Sequence, residues 1–278
     1  MSALAPMLEA HDAEIPAIGF GTSGMGYVTA EHAAAALKAG YRHIDTARKY
    51  GTEPAVGEAM RACGIPRRDI FVCTKVSHEN LHAADFARSV DESFEKLGVD
   101  YVDLLLVHWP EKNTPLVETL GALAKAKRQG LARHIGVANF NIAMLDEAIR
   151  LCPEPLVTLQ VECHPYLDQS KVIAACRERG LVLTAYCPLA RGGLTNDPVL
   201  TEIAKRTGKT FAQVALRWLV QQDIIAAIPR SSNPVRIAQN IDVFDFELSD
   251  DDMRRIGNLK KPNGRIANPA GRAPQWDV

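Results

Sequence analysis

The chain has 278 residues, a formal net charge of −1 and a pI near 6.7, with 47% hydrophobic and 23% charged residues, an ordinary composition for a globular protein. Its length suits one large domain, residues 1–278, since about 250 residues is typical of a (β/α)8 barrel, and its balanced charge offers no bulk attraction to nucleic acid, a membrane surface or a polyanion. Six scattered cysteines with no Cys-x-x-Cys pair suit reduced thiols in a cytosol, no His pair has zinc spacing, and neither a leader peptide nor an apolar run of about 18 residues is present, so a cytoplasmic monomer without bound metal is the expectation.

In chain order, Met1–Pro16 reads as a hairpin or arm beneath the rest. Short apolar, β-branched runs then alternate with amphipathic stretches. Ile18–Gly21 is a strand, followed by a helix at Glu31–Ala39; Arg42–Asp45 is followed by Glu53–Cys63, Ile70–Lys75 by Asp85–Leu97, and Val102–His108 by Leu116–Gln129. His134–Val137 precedes Ile142–Leu151, Leu156–Glu162 precedes Ser170–Arg179, Val182–Tyr186 precedes Phe211–Gln222, and Ile224–Ile228 precedes Asn233–Asn240. Gly40, Gly64, Gly98, Gly130 and Gly180 each stand where a helix should stop before the next strand. Thr195–Thr207 is an extra helical piece, Leu248–Leu259 an appended helix with Ser249 as N-cap, and Pro262–Val278 an irregular tail. Eight strand–helix units predict parallel strands closed into a (β/α)8 TIM barrel with an N-terminal hairpin and an appended C-terminal helix and tail.

Gly19-Phe-Gly21-Thr-Ser-Gly24 imitates a dinucleotide fingerprint, with Asp45 lying 21 residues after Gly24. That motif must open a helix directly. Here Met25-Gly26-Tyr27-Val28 intervenes before a helix capped near Thr29, and a Rossmann half would not continue to eight units.

Barrel active sites lie at the carboxyl ends of the strands. Those ends carry Asp45, with Tyr50 five residues on, then Lys75, His108-Trp109-Pro110, Asn139, Gln160 and Glu162, Tyr186, and Pro229-Arg230-Ser231. A free tyrosine is a poor acid at neutral pH, but an ammonium lowers its pKa. Lys75 can serve, held charged by Asp45, while His108 aims a substrate carbonyl. A general acid so placed suits an oxygen gaining charge as hydride reaches its carbon, and no protein group donates hydride, so a nicotinamide must.

These stretches resemble the aldo-keto reductase family. Gly40-Tyr-Arg-His-Ile-Asp45-Thr-Ala-Arg-Lys-Tyr50-Gly-Thr-Glu53 looks like its first signature, and Asp100-Tyr-Val-Asp-Leu-Leu-Leu-Val-His108-Trp-Pro110 its second. Ile228-Pro-Arg-Ser231 with Arg236, Gln239 and Asn240 looks like its third, and Gly136-Val-Ala-Asn139-Phe and Leu159-Gln160-Val-Glu-Cys-His-Pro-Tyr166 match too. The ending Gly271-Arg-Ala-Pro-Gln-Trp276-Asp is similar to that of bacterial 2,5-diketo-gluconate reductases of the B type, a group with methylglyoxal reductase members. The resemblance implies NADPH-dependent reduction of small aldehydes and ketones, with dicarbonyls or keto-sugar acids as substrates. It implies Tyr50 as proton donor, Lys75 and Asp45 tuning it, and His108 and Trp109 meeting the substrate. Tyr186 would stack on the nicotinamide, with Asn139 and Gln160 on its carboxamide. Arg230, Ser231 and Arg236 would hold the 2′-phosphate, with Asn240 near the adenine. Gly21, Thr22, Cys187, Pro188, Leu189, Ile228, Ser232 and Gln239 complete the expected cofactor cleft. Two arginines and the free amides opening a helix near Asn233 suit an anion there.

Several positions depart from the family pattern. Arg230 stands where Lys is usual, Ala138 and Cys187 where Ser is common, Ser23-Gly24 where many members place an aromatic, and Val76-Ser77-His78 lacks a frequent Trp. The pocket is therefore expected to be wider and less aromatic. Taken singly, Asp45 reads as a turn cap, Lys75 as a rim lysine, His108 as a core histidine and Tyr50 as packing; the collinear set favours catalysis. Trp109 suits either packing or a pocket wall. Cys163-His164 reads as structural for want of further ligands. An NADPH-binding sensor barrel with little turnover is the alternative function.

Overall fold

The computed structural model describes residues 5–24 and 28–277. The start of the expected arm, most of the spacer after Gly24 and the last residue of the tail lie outside the described residues.

An antiparallel hairpin, β1 (Met7–Ala10) and β2 (Ala13–Pro16), opens the fold, in register from Met7↔Pro16 to Ala10↔Ala13. Eight parallel strands follow in chain order: β3 (Phe20–Gly21), β4 (His43–Asp45), β5 (Phe71–Val76), β6 (Val102–Val107), β7 (Ala132–Ala138), β8 (Leu156–Glu162), β9 (Val182–Tyr186) and β10 (Ile225–Ala227). The first strand is shorter than expected. Ile18 joins through a single parallel bridge to Ala227, and that bridge brings β10 back to the beginning of the sheet. The bonds Gly19 N to Ala227 O (2.8 Å) and Gly21 N to Pro229 O (3.0 Å) continue the closure.

The crossover helices are α1 (Ala30–Ala39), α2 (Glu53–Ala62), α3 (Ala83–Leu97), α4 (Leu116–Arg128), α5 (Ile142–Leu151), α6 (Ser170–Glu178), α8 (Phe211–Val220) and α9 (Pro234–Ile241). α7 (Pro198–Thr207) and α10 (Asp250–Gly257) are additions. All five glycines expected to end helices have positive φ. α7 starts three residues later than the sequence suggests, because Asp197 accepts hydrogen bonds from Val199 N and Leu200 N and Pro198 occupies the first turn. Ser249 caps α10 through Asp252 N, as expected.

Period-2 alternation divides each strand between two cores. Leu105 and Val107 face the helices and join the larger core with Leu120, Leu123 and Leu183. Leu104, Leu106, Cys73, Val182 and Ala226 form a second core inside the barrel, and Leu8, Ala10, Ala13 and Ile15 of the hairpin pack onto it. The hairpin therefore plugs the end of the barrel opposite the strands' carboxyl ends. The Gly-rich stretch also gains an explanation unrelated to phosphate. A Cβ on Gly21 would stand 2.7 Å from the carbonyl oxygen of Ile228, so glycine lets β3 close against the end of β10.

Candidate active site

Strand alternation brings His43 and Asp45 of β4, and Cys73 and Lys75 of β5, to the same inner surface, with the polar pair at the carboxyl end. Lys75 Nζ donates to Asp45 Oδ1 at 2.7 Å and to the Thr46 carbonyl at 2.8 Å. The other carboxylate oxygen of Asp45 accepts from Gln160 Nε2 at 2.8 Å. Tyr50 ends a single 3-10 turn, Arg48–Tyr50, that Gly51 terminates with φ 69°. This turn lays the tyrosine back over the strand ends. Its ring centroid lies 5.2 Å from Lys75 Nζ, and its hydroxyl is 3.3 Å from His108 Nε2. Asn139, with φ 64°, donates to the His108 carbonyl at 2.8 Å and accepts from the Tyr186 hydroxyl at 2.7 Å. Residues from six strand ends thus converge.

The electrostatics differ from the expectation in one respect. Burial pushes the Tyr50 hydroxyl up to about 12, and although Lys75 pulls it down, the ammonium does not win. Burial opposes the charge on Lys75, but Asp45, Tyr50 and Cys73 together outweigh it and hold the ammonium protonated above its ordinary range. Burial, with Lys75, Lys49 and Arg272 in support, holds His108 well below its usual value, so the imidazole is neutral at pH 7. At neutral pH the Tyr50 hydroxyl keeps its proton, beside a permanent cation and a neutral histidine.

The expected cofactor residues flank this cluster. Asn139 keeps one amide hydrogen, and Gln160 its side-chain oxygen, without a hydrogen-bond partner among the described residues. Pro188 and Leu189 follow Tyr186 in a loop where Cys187, Ala190 and Arg191 have φ of 49°, 48° and 51°. Each such non-glycine residue stores on the order of 1–3 kcal/mol, held by its surroundings. Burial raises the Cys187 thiol pKa, against a hydrogen bond from Arg191, a neighbouring cation the sequence did not single out. Thr22 is committed inward: its hydroxyl donates to the Asp45 carbonyl at 3.0 Å and meets Thr52 Oγ1 at 3.0 Å.

At the start of α9 the expected free amides are partly taken. Asn233 Oδ1 accepts from Val235 N at 2.9 Å and Arg236 N at 3.3 Å, because Asn is a natural N-cap. Attraction for a phosphate there falls to side chains. Arg236 is exposed and makes no ion pair or side-chain hydrogen bond among the described residues, while exposed Arg230 donates to the Ser23 carbonyl at 2.8 Å. Ser231 Oγ accepts from Asn233 N at 3.1 Å, Ser232 is exposed, Gln239 half-buried, and Ile228 buried beneath them. Asn240 is buried with no side-chain hydrogen bond among the described residues.

The tail reaches the same face. Buried Glu162 accepts from Ile266 N and Ala267 N, each at 2.7 Å, and pairs with His164 Nε2 at 2.9 Å. Burial alone would raise its pKa, but these donors bring it below the ordinary carboxylate value. Asp277 then accepts from Ile142 N at 3.0 Å, closing the tail onto the start of α5. In between, the Trp276 ring meets Trp109 edge to face at 6.2 Å. Sequence reasoning placed Glu162 at a strand end without giving it a role, and it missed Arg265 and Arg272. Glu162 lies two positions after Gln160, so its inward direction was legible, but its partners come from about a hundred residues away. Arg265 covers the Trp276 ring at 3.7 Å, and the field of Arg272 reaches His78 and His108.

The sequence profile of the Aldo/keto reductase family matches residues 17–261. The chain is 38% identical over 267 residues to methylglyoxal reductase DkgB of Escherichia coli O157:H7, covering 95% of this chain and 99% of that one. A crystal structure provisionally described as a 2,5-diketo-D-gluconic acid reductase B superposes with a TM-score of 0.95 at 46% identity, covering 99% of this chain and 98% of that one. An aldo-keto reductase of Bombyx mori, solved in complex with NADP, superposes with a TM-score of 0.87 at 32% identity, covering 93% and 94% of the two chains. With a matching profile over most of its length and a barrel shared from end to end, the chain belongs to the aldo/keto reductase family.

Proposed function

We propose that this protein reduces small aldehydes and ketones to alcohols with NADPH, and that Tyr50 supplies the proton. The observation that carries the reading is the Tyr50 hydroxyl, 3.3 Å from a neutral His108 and beside the Lys75–Asp45 pair at the mouth of the barrel. NADPH, when bound, supplies the hydride that the chain itself lacks. Arg236 and Arg230, with Ser231, would hold its 2′-phosphate; Asn139 and Gln160 retain the free donor and acceptor that a carboxamide needs.

His108 orients the carbonyl oxygen toward Tyr50. As negative charge develops on that oxygen, the hydroxyl bond to hydrogen breaks and a new bond to the substrate oxygen forms. The phenolate left behind is stabilised by the Lys75 ammonium, and a proton from solvent restores it. Arg272, half-buried and without an ion pair or side-chain hydrogen bond among the described residues, favours carbonyl substrates that also carry a negative charge, such as keto acids. The names of two relatives, a methylglyoxal reductase and a diketo-gluconic acid reductase, agree with small dicarbonyl substrates.

Tyr50→Phe is the test. It should leave NADPH affinity within about twofold and lower kcat for methylglyoxal by roughly 10²–10⁴-fold, the usual worth of a general acid. Near-normal turnover would remove Tyr50 from the role, and a wild-type protein that binds NADPH without oxidising it would make the barrel a sensor.

A further inference from the structure

Thr22 follows β3, Thr46 follows β4 and Thr52 precedes α2, and all three are buried with their hydroxyls in one cluster. Thr22 Oγ1 donates to the Asp45 carbonyl at 3.0 Å. Thr52 Oγ1 lies 3.0 Å from Thr22 Oγ1 and 3.1 Å from Thr46 Oγ1. A hydroxyl has one proton to donate. Thr22 has spent its proton on Asp45, so both remaining contacts are hydrogen bonds only if Thr46 donates to Thr52 and Thr52 donates to Thr22. The chain of bonds therefore has a single direction, from Thr46 through Thr52 and Thr22 to the Asp45 carbonyl, and bonds so aligned reinforce one another.

Thr52 is the middle link, and it forgoes a local alternative. It occupies the N-cap position of α2, where a threonine ordinarily binds the free amides of the helix, yet its side chain makes no cap hydrogen bond. Its hydroxyl serves the threonine chain instead. The next residue, Glu53, accepts from Thr74 Oγ1 at 2.7 Å, and Thr74 precedes Lys75 on β5. The start of α2 thus grips both strands whose ends carry the ion pair. The segment gripped on β4, Asp45–Thr46, supplies two acceptors to the ammonium of Lys75: Asp45 Oδ1 at 2.7 Å and the Thr46 carbonyl at 2.8 Å. Thr22 N, at 3.0 Å, adds to the hold on the Asp45 carbonyl.

We propose that Thr52 is a positioning residue: by linking Thr46 to Thr22 it fixes the two acceptors that hold the Lys75 ammonium beside Tyr50. It acts through Asp45, Thr46 and Lys75. Its effect on rate rests on the reading of Tyr50 as proton donor; its hold on Lys75 does not.

Two readouts test it on Thr52→Val, which keeps the shape but removes the hydroxyl, and Thr52→Ser, which keeps the hydroxyl. The first needs no turnover: hydrogen exchange of the Lys75 ammonium, followed in 1H–15N spectra and assigned by its loss in Lys75→Met. Exchange should be about fivefold faster or more in Thr52→Val and within about twofold of the parent in Thr52→Ser, because a loosened segment opens more often. Thr46→Val, which cuts the chain at its first link, should shift exchange in the same direction. The second readout is methylglyoxal reduction. Thr52→Val should lower kcat by about 10- to 100-fold with KM within about twofold, the scale on which a misplacement remote from the chemistry acts, and Thr52→Ser should recover most of the loss. In a Tyr50→Phe background Thr52→Val should cost nothing further, because the group it acts through is already gone. Exchange unchanged in the valine variants overturns the proposal, and so does a loss of rate that simply adds to that of Tyr50→Phe. Faster exchange in Thr52→Val beside normal turnover in Tyr50→Phe keeps the hold on Lys75 and removes the proton-donor reading instead.

Discussion

Arg236 carries the phosphate-recognition expectation at its clearest, since the α9 amides near it already serve the Asn233 cap. A charge-assisted contact contributes about 1.5–3 kcal/mol. Arg236→Ala should therefore weaken NADPH by roughly 10- to 150-fold and NADH hardly at all, read by fluorescence titration of each nucleotide. Equal losses would show that Arg236 does not meet the 2′-phosphate. Arg272 makes a different prediction. Its charge reaches His108 and His78, so Arg272→Ala should raise KM for a keto acid several-fold more than KM for a neutral aldehyde of similar size. A parallel rise for both substrates would assign the residue to tail packing. Asp45, Tyr50, Lys75 and His108 were legible as a set because strand ends converge in any barrel. The pKa of Tyr50 was not, because burial outweighs Lys75 and depth is not written in local sequence.

Among the elements, the tail and the loop after β9 owe most to distant contacts. The tail needs glycine at position 264, where a Cβ would fall 1.8 Å from the Tyr166 carbonyl oxygen. It is held by Glu162, by Asn141, which donates to the Gln275 carbonyl at 2.9 Å, and by Asp277. Packing of Trp276 on Trp109 favours the pocket over the barrel's flank as the place of that aromatic. Removing 274–278 should change the ratio of kcat/KM between a bulky aromatic aldehyde and methylglyoxal by about tenfold or more, with NADPH affinity within twofold. An unchanged substrate profile would leave the tail a structural strap. Helices such as α5 and α10 were legible to within a residue or two, since caps and apolar spacing are local. The strained turn from Cys187 to Arg191 was not, because its positive φ angles fall on residues with no intrinsic preference for them.

The whole molecule rests on two cores that meet across the strands, with the Tyr50 cluster at one end and a plug at the other. Ile15 is fully buried between the hairpin and the barrel interior. Ile15→Ala should cost about 2–5 kcal/mol of stability. Because Ile15 sits at the end opposite Tyr50, kcat at 25 °C should stay within about twofold. Urea denaturation beside steady-state rates checks both, and an unchanged midpoint would mean that the hairpin does not seal the core. Eight alternating units, their helix stops and their polar strand ends are properties of short stretches, so the sequence alone determined the barrel, the order of its strands and the face where Asp45, Tyr50, Lys75 and His108 gather. Closure through Ile18 and Ala227, the hairpin's seat, the Glu162 anchor and the meeting of Trp276 with Trp109 were decided only in three dimensions. Each joins residues far apart in the chain, and its energy depends on burial and partners that no local pattern encodes.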